Sequence, residues 1–590
     1  MKNAFFTLIV LITTALPVLA DPAPISGPWG VYASGFKNLS TALASPDTVG
    51  KTVVVSKLMD TNSVTTDRTI SVTAGGRINV AKGQIFTING PFDAGLYQVF
   101  SGLGRVSGLK ESRPEWFGMN IIPGTTDMAP VCQKAADSLT SNGTLLLSAN
   151  IYSLRTFTPY VISHTLGGNN SKTCIKLTGN KSIRGVEGSV LKVDVDDDFP
   201  SAITLTGNYE TVPNSTSIND GPYGSRLSGF KMIGTDTASL LTEQYGGGIR
   251  IFQGRDVQVF NCSFENLRGI PINIIEVGGR YGVSYYSEGM KAHHNYIKNC
   301  HGDGIYFRFC MYSDITDNVI LDTGFTDGII FEAVKYGNIS NNHIYHPTAV
   351  SGPARGILIN GGSDDCIISG NTVKVNTLNN AIFLVDSFRA QVSGNNLSRD
   401  GDASGFALIT SHTTQGLRDA YNNIHDNTLL NGSPGIRISN NHNRISGNVI
   451  SGGTEGIIVD GGNYNIISNN DIVADGYGIK LRGYDGRQHP VGTVVLNNRT
   501  DRIDDEGINS TKRGNIFSIG PVSGKAMLSA GTITVNTAEV MPADIIMLTR
   551  TIAGGAVGHL SVGTIISGTS FVINSSSSTD SSTIFWEIRH

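Results

Sequence analysis

The chain has 590 residues, 71 of them glycine, with 16% charged residues and a formal net charge of −4. That balance argues against nucleic acid as the main partner. Abundant glycine and asparagine with few charges suits a turn-dense β protein. The first twenty residues, MKNAFFTLIVLITTALPVLA, carry a positive start at Lys2, an apolar run and a small-residue cleavage pattern at Val18-Leu19-Ala20. They are expected to be a signal peptide, giving a secreted, periplasmic or cell-surface protein that begins near Asp21. No later stretch is long and apolar enough to span a bilayer.

Residues 21–112 read as a β-rich module, with KTVVVS, RTISVTAGG and GRINVAKGQIFTING as strands. A helix is predicted over 127–142, with Asp127 as N-cap, Pro130 in its first turn and Gly143 ending it. A helix there would cap a solenoid end. The strand-like GTLLLSANIYSL follows. Six cysteines, at 132, 174, 262, 300, 310 and 366, show neither CxxC nor zinc spacing. Cys262 falls in register with the repeat described next and is expected to point inward as a small hydrophobe. DVDDD at 194–198 offers oxygen ligands of the kind calcium takes, without the spacing of a defined calcium loop. A solvated acidic turn is the plainer reading, and no cofactor is required.

From about residue 257 to 500 two phrases alternate. One is apolar-x-x-Asn-x-apolar: ITDNVI ending at Ile320, ISNNHI at Ile344, ISGNTV at Val373, VSGNNL at Leu397, IHDNTL at Leu429, ISGNVI at Ile450 and ISNNDI at Ile472. The other is Gly-apolar-x-apolar, beginning at Gly304, Gly328, Gly356, Gly405, Gly435, Gly456 and Gly478. A repeat near two dozen residues, too small to bury a core alone, means stacked units. Short alternating runs joined by Gly, Asn, Asp and Ser read as one strand pair per coil of a parallel β-helix, an all-β solenoid over residues 113–515. The Asn column then satisfies bent backbone. Residues 516–590 differ, with denser alternating strands that form a separate C-terminal β domain.

GLYQVF ending at Phe100, RPEWFG at 113–118, the Thr126-Asp127 helix start and GTLLLSANIYSL together resemble the opening segment of pectate-lyase-like right-handed parallel β-helix proteins. That group includes phage tailspikes and capsule or lipopolysaccharide depolymerases. The resemblance covers about residues 40–500. The last block is similar to the C-terminal β-domain of phage tail proteins, which implies a homotrimer. The Trp-Ile-Asp-His segment of pectate lyases, the Asn-Thr-Asp and Gly-His-Gly of polygalacturonases and the Asp-Pro-His-Glu of alginate epimerases are all missing. No catalytic residue carries over from those families.

Candidate chemistry therefore rests on register. The residue before each Gly of the second phrase, with Asn380 before Ala381 in the same column, runs Asp303, Asp327, Arg355, Asn380, Ser404, Pro434, Glu455, Tyr477. If that column faces outward, Asp303 and Asp327 lie about 5 Å apart, one carboxyl pKa rises, and the two serve as acid/base and nucleophile of a retaining glycosidase. Arg355 would bind an acidic sugar or hold one Asp ionised, and His301 would move protons. Asp-Gly is also a favoured turn pair by itself. A second column, Arg308, Glu332, Asn360 and Val385, reads either as a surface ion pair or as a polar strip on a sugar-binding face. Glu332 would stand about 16 Å from Asp327. Coils lengthen at 276–291, 410–420 and 482–492, with a fourth insertion at 345–355 on another turn. Tyr281, Tyr285 and Tyr286 in the first would stack on sugar rings.

These features point to an exported enzyme that cleaves a capsular, lipopolysaccharide or uronate polymer internally, by hydrolysis. The alternatives are a lyase, in which Arg308, Arg355 or a loop tyrosine assists proton removal beside a uronate carboxylate, and a non-catalytic adhesin or tailspike on a virion. The fold alone does not decide among them.

Overall fold

The computed structural model describes residues 30–160, 171–194, 200–206, 221–235, 247–275, 286–322, 327–346, 355–376, 380–400, 406–414, 416–483, 488–517, 522–537, 540–542 and 544–589. The expected signal segment lies outside them, as do 195–198 of the acidic run. The chain divides into two compact units: Met1–Ile121 with Lys134–Leu145, and Ile122–Gln133 with Leu146–His590.

The first unit, legible in the sequence only as β-rich, is itself built of parallel strands. Val53 pairs with Ile70 and Ile70 with Phe92, while Met59 pairs with Ile78 and Ile78 with Phe100. A third parallel set joins Val64–Thr66, Ile85–Ile88 and Arg105–Ser107. Alternate residues point into a core of Val53, Ile70, Ile78, Phe86 and Ile88, closed by Leu39, Ala42 and Leu43. The last three lie on helix Leu39–Ala44, whose start is capped by Asn38 accepting from the Thr41 N–H at 2.8 Å.

The predicted helix over 127–142 is shorter, Ala129–Asp137. Asp127 does serve its start, accepting the Ala129 N–H at 3.1 Å. It stops early because strand Leu139–Leu147 begins at once, Leu139 pairing with Leu109 and Leu145 with Ser112. Gly143 therefore lies in a strand, near a register shift, and ends no helix.

The second unit is a parallel β-helix with three strands per coil, where the sequence reading expected two. One sheet runs up to Thr511–Arg513, the second from Ile151–Leu154 to Ile516–Phe517, and the third from Ser171–Thr178 to Ile503–Asp505, with Thr158–Tyr160 as an antiparallel edge strand. The Asn phrase accounts for the difference, because its two apolar ends belong to different sheets. Ile315 of ITDNVI stacks under Ile339 and Ile368 in the first sheet. Ile320 of the same phrase stacks under Ile344 and Val373 in the second. The Gly phrase forms the third, where Ile305, Ile329, Ile357 and Ile382 superpose. One register differs: Ile409, not the segment at Gly405, stacks on Ile382. Leu408 there takes the bend position that Ala381 holds in the coil before and glycine holds at Gly304, Gly328 and Gly356, and its carbonyl accepts the Ala381 N–H at 2.9 Å.

At the bend between first and second sheets stand Asn295, Asn318, Asn342, Asn371, Asn395, Asn427, Asn448, Asn470 and Asn498, all buried. The Asn342 N–H and Nδ2 both donate to Asn371 Oδ1, at 2.9 and 3.0 Å, and Asn371 Nδ2 donates to Ile339 O at 2.9 Å and to Asn395 Oδ1 at 2.9 Å. Each coil from Asn295 onward repeats this, through Asn498 to Asn515. Cys262 fills the slot below Asn295, its N–H donating to Asn295 Oδ1 at 3.1 Å, and burial pushes its thiol up to about 12. All six cysteines are buried and none is in a disulfide.

The C-terminal block is antiparallel. Val522–Met527 and Ile545–Ile552 flank Thr583–Arg589, while Thr532–Asn536 and Leu560–Ile566 flank Ser570–Ser575. Phe571, Ile573, Ile584, Trp586 and Ile588 form its core.

Asn371→Ala leaves the two Asn342 donors and the Ile339 carbonyl without their partner. The expected loss is about 3 kcal/mol, read by denaturant unfolding. A loss below about 1 kcal/mol would remove the ladder from the list of stabilising interactions.

Candidate functional site

The bend between second and third sheets turns so tightly that a Cβ at Gly328 would stand 2.7 Å from Gly356 O and 2.8 Å from Ile344 Cγ2. Only glycine fits there. The residues just before these glycines stack as the sequence reading required, with Ala407 replacing Ser404 after the register change. Asp303 Oδ1 accepts the Asp327 N–H at 3.1 Å, and Asp327 Oδ1 accepts the Arg355 N–H at 2.9 Å. Arg355 Nη1 lies 3.7 Å from Asp327 Oδ2.

The pair is thus adjacent, but it does not face outward as expected. Both aspartates are 5% exposed, their carboxylates turned along the stack to serve the next coil's backbone. The physical reason is the same unmet N–H that the Asn ladder satisfies one corner away. Burial pushes the Asp327 carboxyl up to about 7, a rise that Arg355 opposes and Asp303 reinforces. Asn380, two coils from Asp327 in the same column, donates to Ala407 O at 2.6 Å and to Thr410 Oγ1 at 3.0 Å. The Arg355 guanidinium lies 5.0 Å from the Phe383 ring centre. His301 enters the same bend, its N–H bonded to Leu267 O at 2.8 Å.

His346 escaped the sequence reading. It ends strand His343–His346, buried, and an added Cβ on Gly328 would meet its Nε2 at 3.0 Å. Burial lowers it to about 4. The alternation of that strand, with Ile344 and His346 both inward, was the available signal.

The outer face of the third sheet carries two parallel columns. Tyr306 is in register with Ile330 and Leu358. With Ile270 these form an apolar cluster, and Phe383 and Val385 pack against it. Beside them Arg308, Glu332 and Asn360 stack in register, as the sequence predicted. Glu332 takes a hydrogen bond from the Tyr306 hydroxyl on Oε2, and Arg308 Nε lies 3.1 Å from Oε1. Tyr306, hidden inside the GIYF phrase, was not singled out from sequence. An apolar rail beside a polar one matches a sugar polymer, whose rings offer C–H faces and hydroxyl edges.

Tyr286 packs edge-on against Phe309, ring centres 5.9 Å apart, and Lys335 Nζ lies 5.5 Å from its ring centre. It therefore stands one turn beyond Arg308. Tyr281 and Tyr285 lie outside the described residues. Of the acidic run only Asp194 is described, accepting from Thr235 Oγ1 at 2.8 Å and 3.3 Å from Arg155 Nε. Among the described residues no three His, Cys, Asp or Glu side chains converge as a metal site. Nor, among them, is any helix long and apolar enough to cross a membrane.

Three family profiles match consecutive segments. A right-handed β-helix region matches residues 201–397, the periplasmic copper-binding protein NosD matches 403–518, and the C-terminal domain of K1 capsule-specific polysaccharide lyase matches 520–589. No curated protein matches in sequence. Among solved structures, a GH87 α-1,3-glucanase catalytic unit from Streptomyces thermodiastaticus is similar at 15% identity and TM-score 0.50, over 70% of each chain. The tailspike of E. coli bacteriophage HK620, in complex with pentasaccharide, is 12% identical at TM-score 0.45, over 81% of this chain and 93% of its own. The mannuronan C-5 epimerase AlgE6 A-module of Azotobacter vinelandii is 13% identical at TM-score 0.40, over 69% of this chain and 99% of its own. Three parallel sheets wound coil on coil, with a right-handed β-helix profile matching residues 201–397, give the chain the fold of a right-handed parallel β-helix and make it similar to proteins of that kind.

Proposed function

We propose that this chain is an exported enzyme that binds a polysaccharide along the outer face of the third sheet and hydrolyses it internally, with Asp327 as proton donor. The observation that carries the proposal is the Asp303–Asp327 stack, in which burial raises the Asp327 carboxyl to about 7. A carboxyl still protonated near neutral pH is what general-acid cleavage of a glycosidic bond requires. Asp303, one coil away at about 5 Å, is at the separation of a nucleophile in a retaining mechanism. Arg355 opposes the rise at Asp327 and is placed to take an acidic sugar. His301 assists proton movement in the same bend. Arg308, Glu332, Asn360 and Tyr286 supply the binding strip.

The K1 lyase C-terminal profile favours a second reading, a polysaccharide lyase assembled as a homotrimer. A third, a carbohydrate-binding adhesin or tailspike, is favoured by the commitment of each carboxylate to a backbone N–H.

Incubation with capsular, O-antigen and uronate polymers separates these. New reducing ends are expected; an unsaturated uronate chromophore instead makes the chain a lyase, and no change makes it a binder. Asp327→Asn is expected to slow cleavage about 100-fold or more while polymer binding persists. Wild-type cleavage at a rate unchanged in this variant removes Asp327 from the mechanism.

The same group makes stability depend on pH. Asp327 is raised from 3.8 to about 7, so its protonated form favours the fold: that contribution is complete below 3.8 and lost as pH rises through about 7. His346 is lowered from 6.5 to about 4, so its contribution is complete above 6.5 and lost as pH falls through about 4. The two oppose each other. Asp327→Asn should therefore show a steeper loss of unfolding midpoint on acidification than wild type, and His346→Leu a shallower one. Parallel midpoint-against-pH curves for all three proteins contradict both assignments.

A further inference from the structure

We infer that Asn273 recognises the acetamido group of an N-acetylated amino sugar in the polymer. The inference rests on the reading that a saccharide lies along the third sheet. Asn273 sits on strand Ile270–Ile275, in register between Arg250 on one coil and Tyr306 on the next. Its strand neighbours Ile272 and Ile274 point into the core, so Asn273 points to the outer face. The side chain is 1% exposed. Neither its Oδ1 nor its Nδ2 has a hydrogen-bond partner among the described residues.

This sets Asn273 apart from the asparagines of the bend ladder. Every asparagine from Asn295 to Asn498 in the bend ladder spends its amide on the next coil. A buried amide with both atoms unspent costs folding free energy unless something else occupies it. Asn360 shows a related sign: its Oδ1 is also buried without a partner, in the neighbouring column and three coils further along, a rise of about 14 Å. Asn273 and the Asn360 Oδ1 bracket the Tyr306–Glu332–Arg308 network.

The chemistry of the missing partner follows from what is offered. Asn273 presents one acceptor and one donor side by side. A secondary amide returns the complement, its N–H to Oδ1 and its carbonyl to Nδ2. The acetamido group also carries a methyl, which suits the apolar cluster of Ile270, Tyr306 and Ile330 on the same face. A pair of hydroxyls supplies the polar atoms but no methyl. In a site shielded from water such hydrogen bonds discriminate most strongly, because an analogue without the group leaves the amide unpaired.

The test uses Asn273→Leu, near in size and apolar, with saturation-transfer NMR against N-acetylglucosamine, N-acetylgalactosamine and N-acetylmannosamine and their parent hexoses. Wild type is expected to transfer saturation to the acetamido methyl, to bind the parent hexoses at least tenfold more weakly, and to lose the N-acetyl preference in the variant. The variant's unfolding midpoint is expected to equal or exceed that of wild type, since an unpaired amide is replaced by carbon. A lower midpoint means that Asn273 holds the fold, through an internal water, and overturns the inference. So do equal binding of hexoses, unchanged binding by the variant, or no binding by wild type. Cleavage of a polymer without acetamido groups leaves the proposed hydrolysis standing while this inference falls. Asn273-dependent N-acetylhexosamine binding without cleavage of any polymer does the reverse.

Discussion

A chain that coils at one turn per two dozen residues must bend three times per turn and still bond every peptide group at each bend. The strand interiors solve this by pairing with the coils above and below. The bends cannot, because backbone leaving one sheet points away from its neighbour. Side-chain amides therefore take over where backbone pairing stops. Asparagine is suited to this because it gives and receives at once, so a column of it is satisfied internally: each Oδ1 receives from the coil before, and each Nδ2 returns to a backbone carbonyl.

The same constraint shapes the corner where the candidate chemistry sits. Asp303 and Asp327 perform half of the ladder's task, accepting the next N–H, but a carboxylate has no donor to return. Two stacked acceptors, buried together, resist carrying two charges. An asparagine pair would meet the structural need without that conflict, and Asn380 shows the column accepts one. The acidic pair is thus a stability problem wherever only backbone satisfaction is required, and an asset where a proton has to be held and released. Arg355 moderates the conflict from one side, and the buried imidazole of His346 lies against Gly328 on the other.

The outer face of the third sheet obeys a different rule. Its side chains are not needed by the backbone, so their chemistry is open to use. The rise of about 5 Å per coil converts sequence neighbours two dozen apart into adjacent contacts along a line. Apolar Ile330 and Leu358 run beside polar Glu332 and Asn360 in that geometry. A polymer with a repeating unit is the ligand such a surface can engage at several points at once.

The sequence by itself determined the winding. The spacing of asparagine and glycine phrases is a local property of turns and alternation, so the all-β stack, the Asn column, the Asp303–Asp327 adjacency and the Arg308–Glu332–Asn360 column were all legible. It did not reveal the third strand of each coil, because one phrase straddles a bend and reads as a single strand. Nor did it reveal that the first unit is also wound parallel, since its coils lack the asparagine marker. Only the tertiary structure decided which way the aspartates turn, the slip at Ile409, the burial of His346 and the unpartnered amide of Asn273. Those depend on how close a neighbouring coil's backbone and side chains approach. Periodicity places a residue on a face, but burial and hydrogen-bond pairing are set by atoms contributed from elsewhere in the chain.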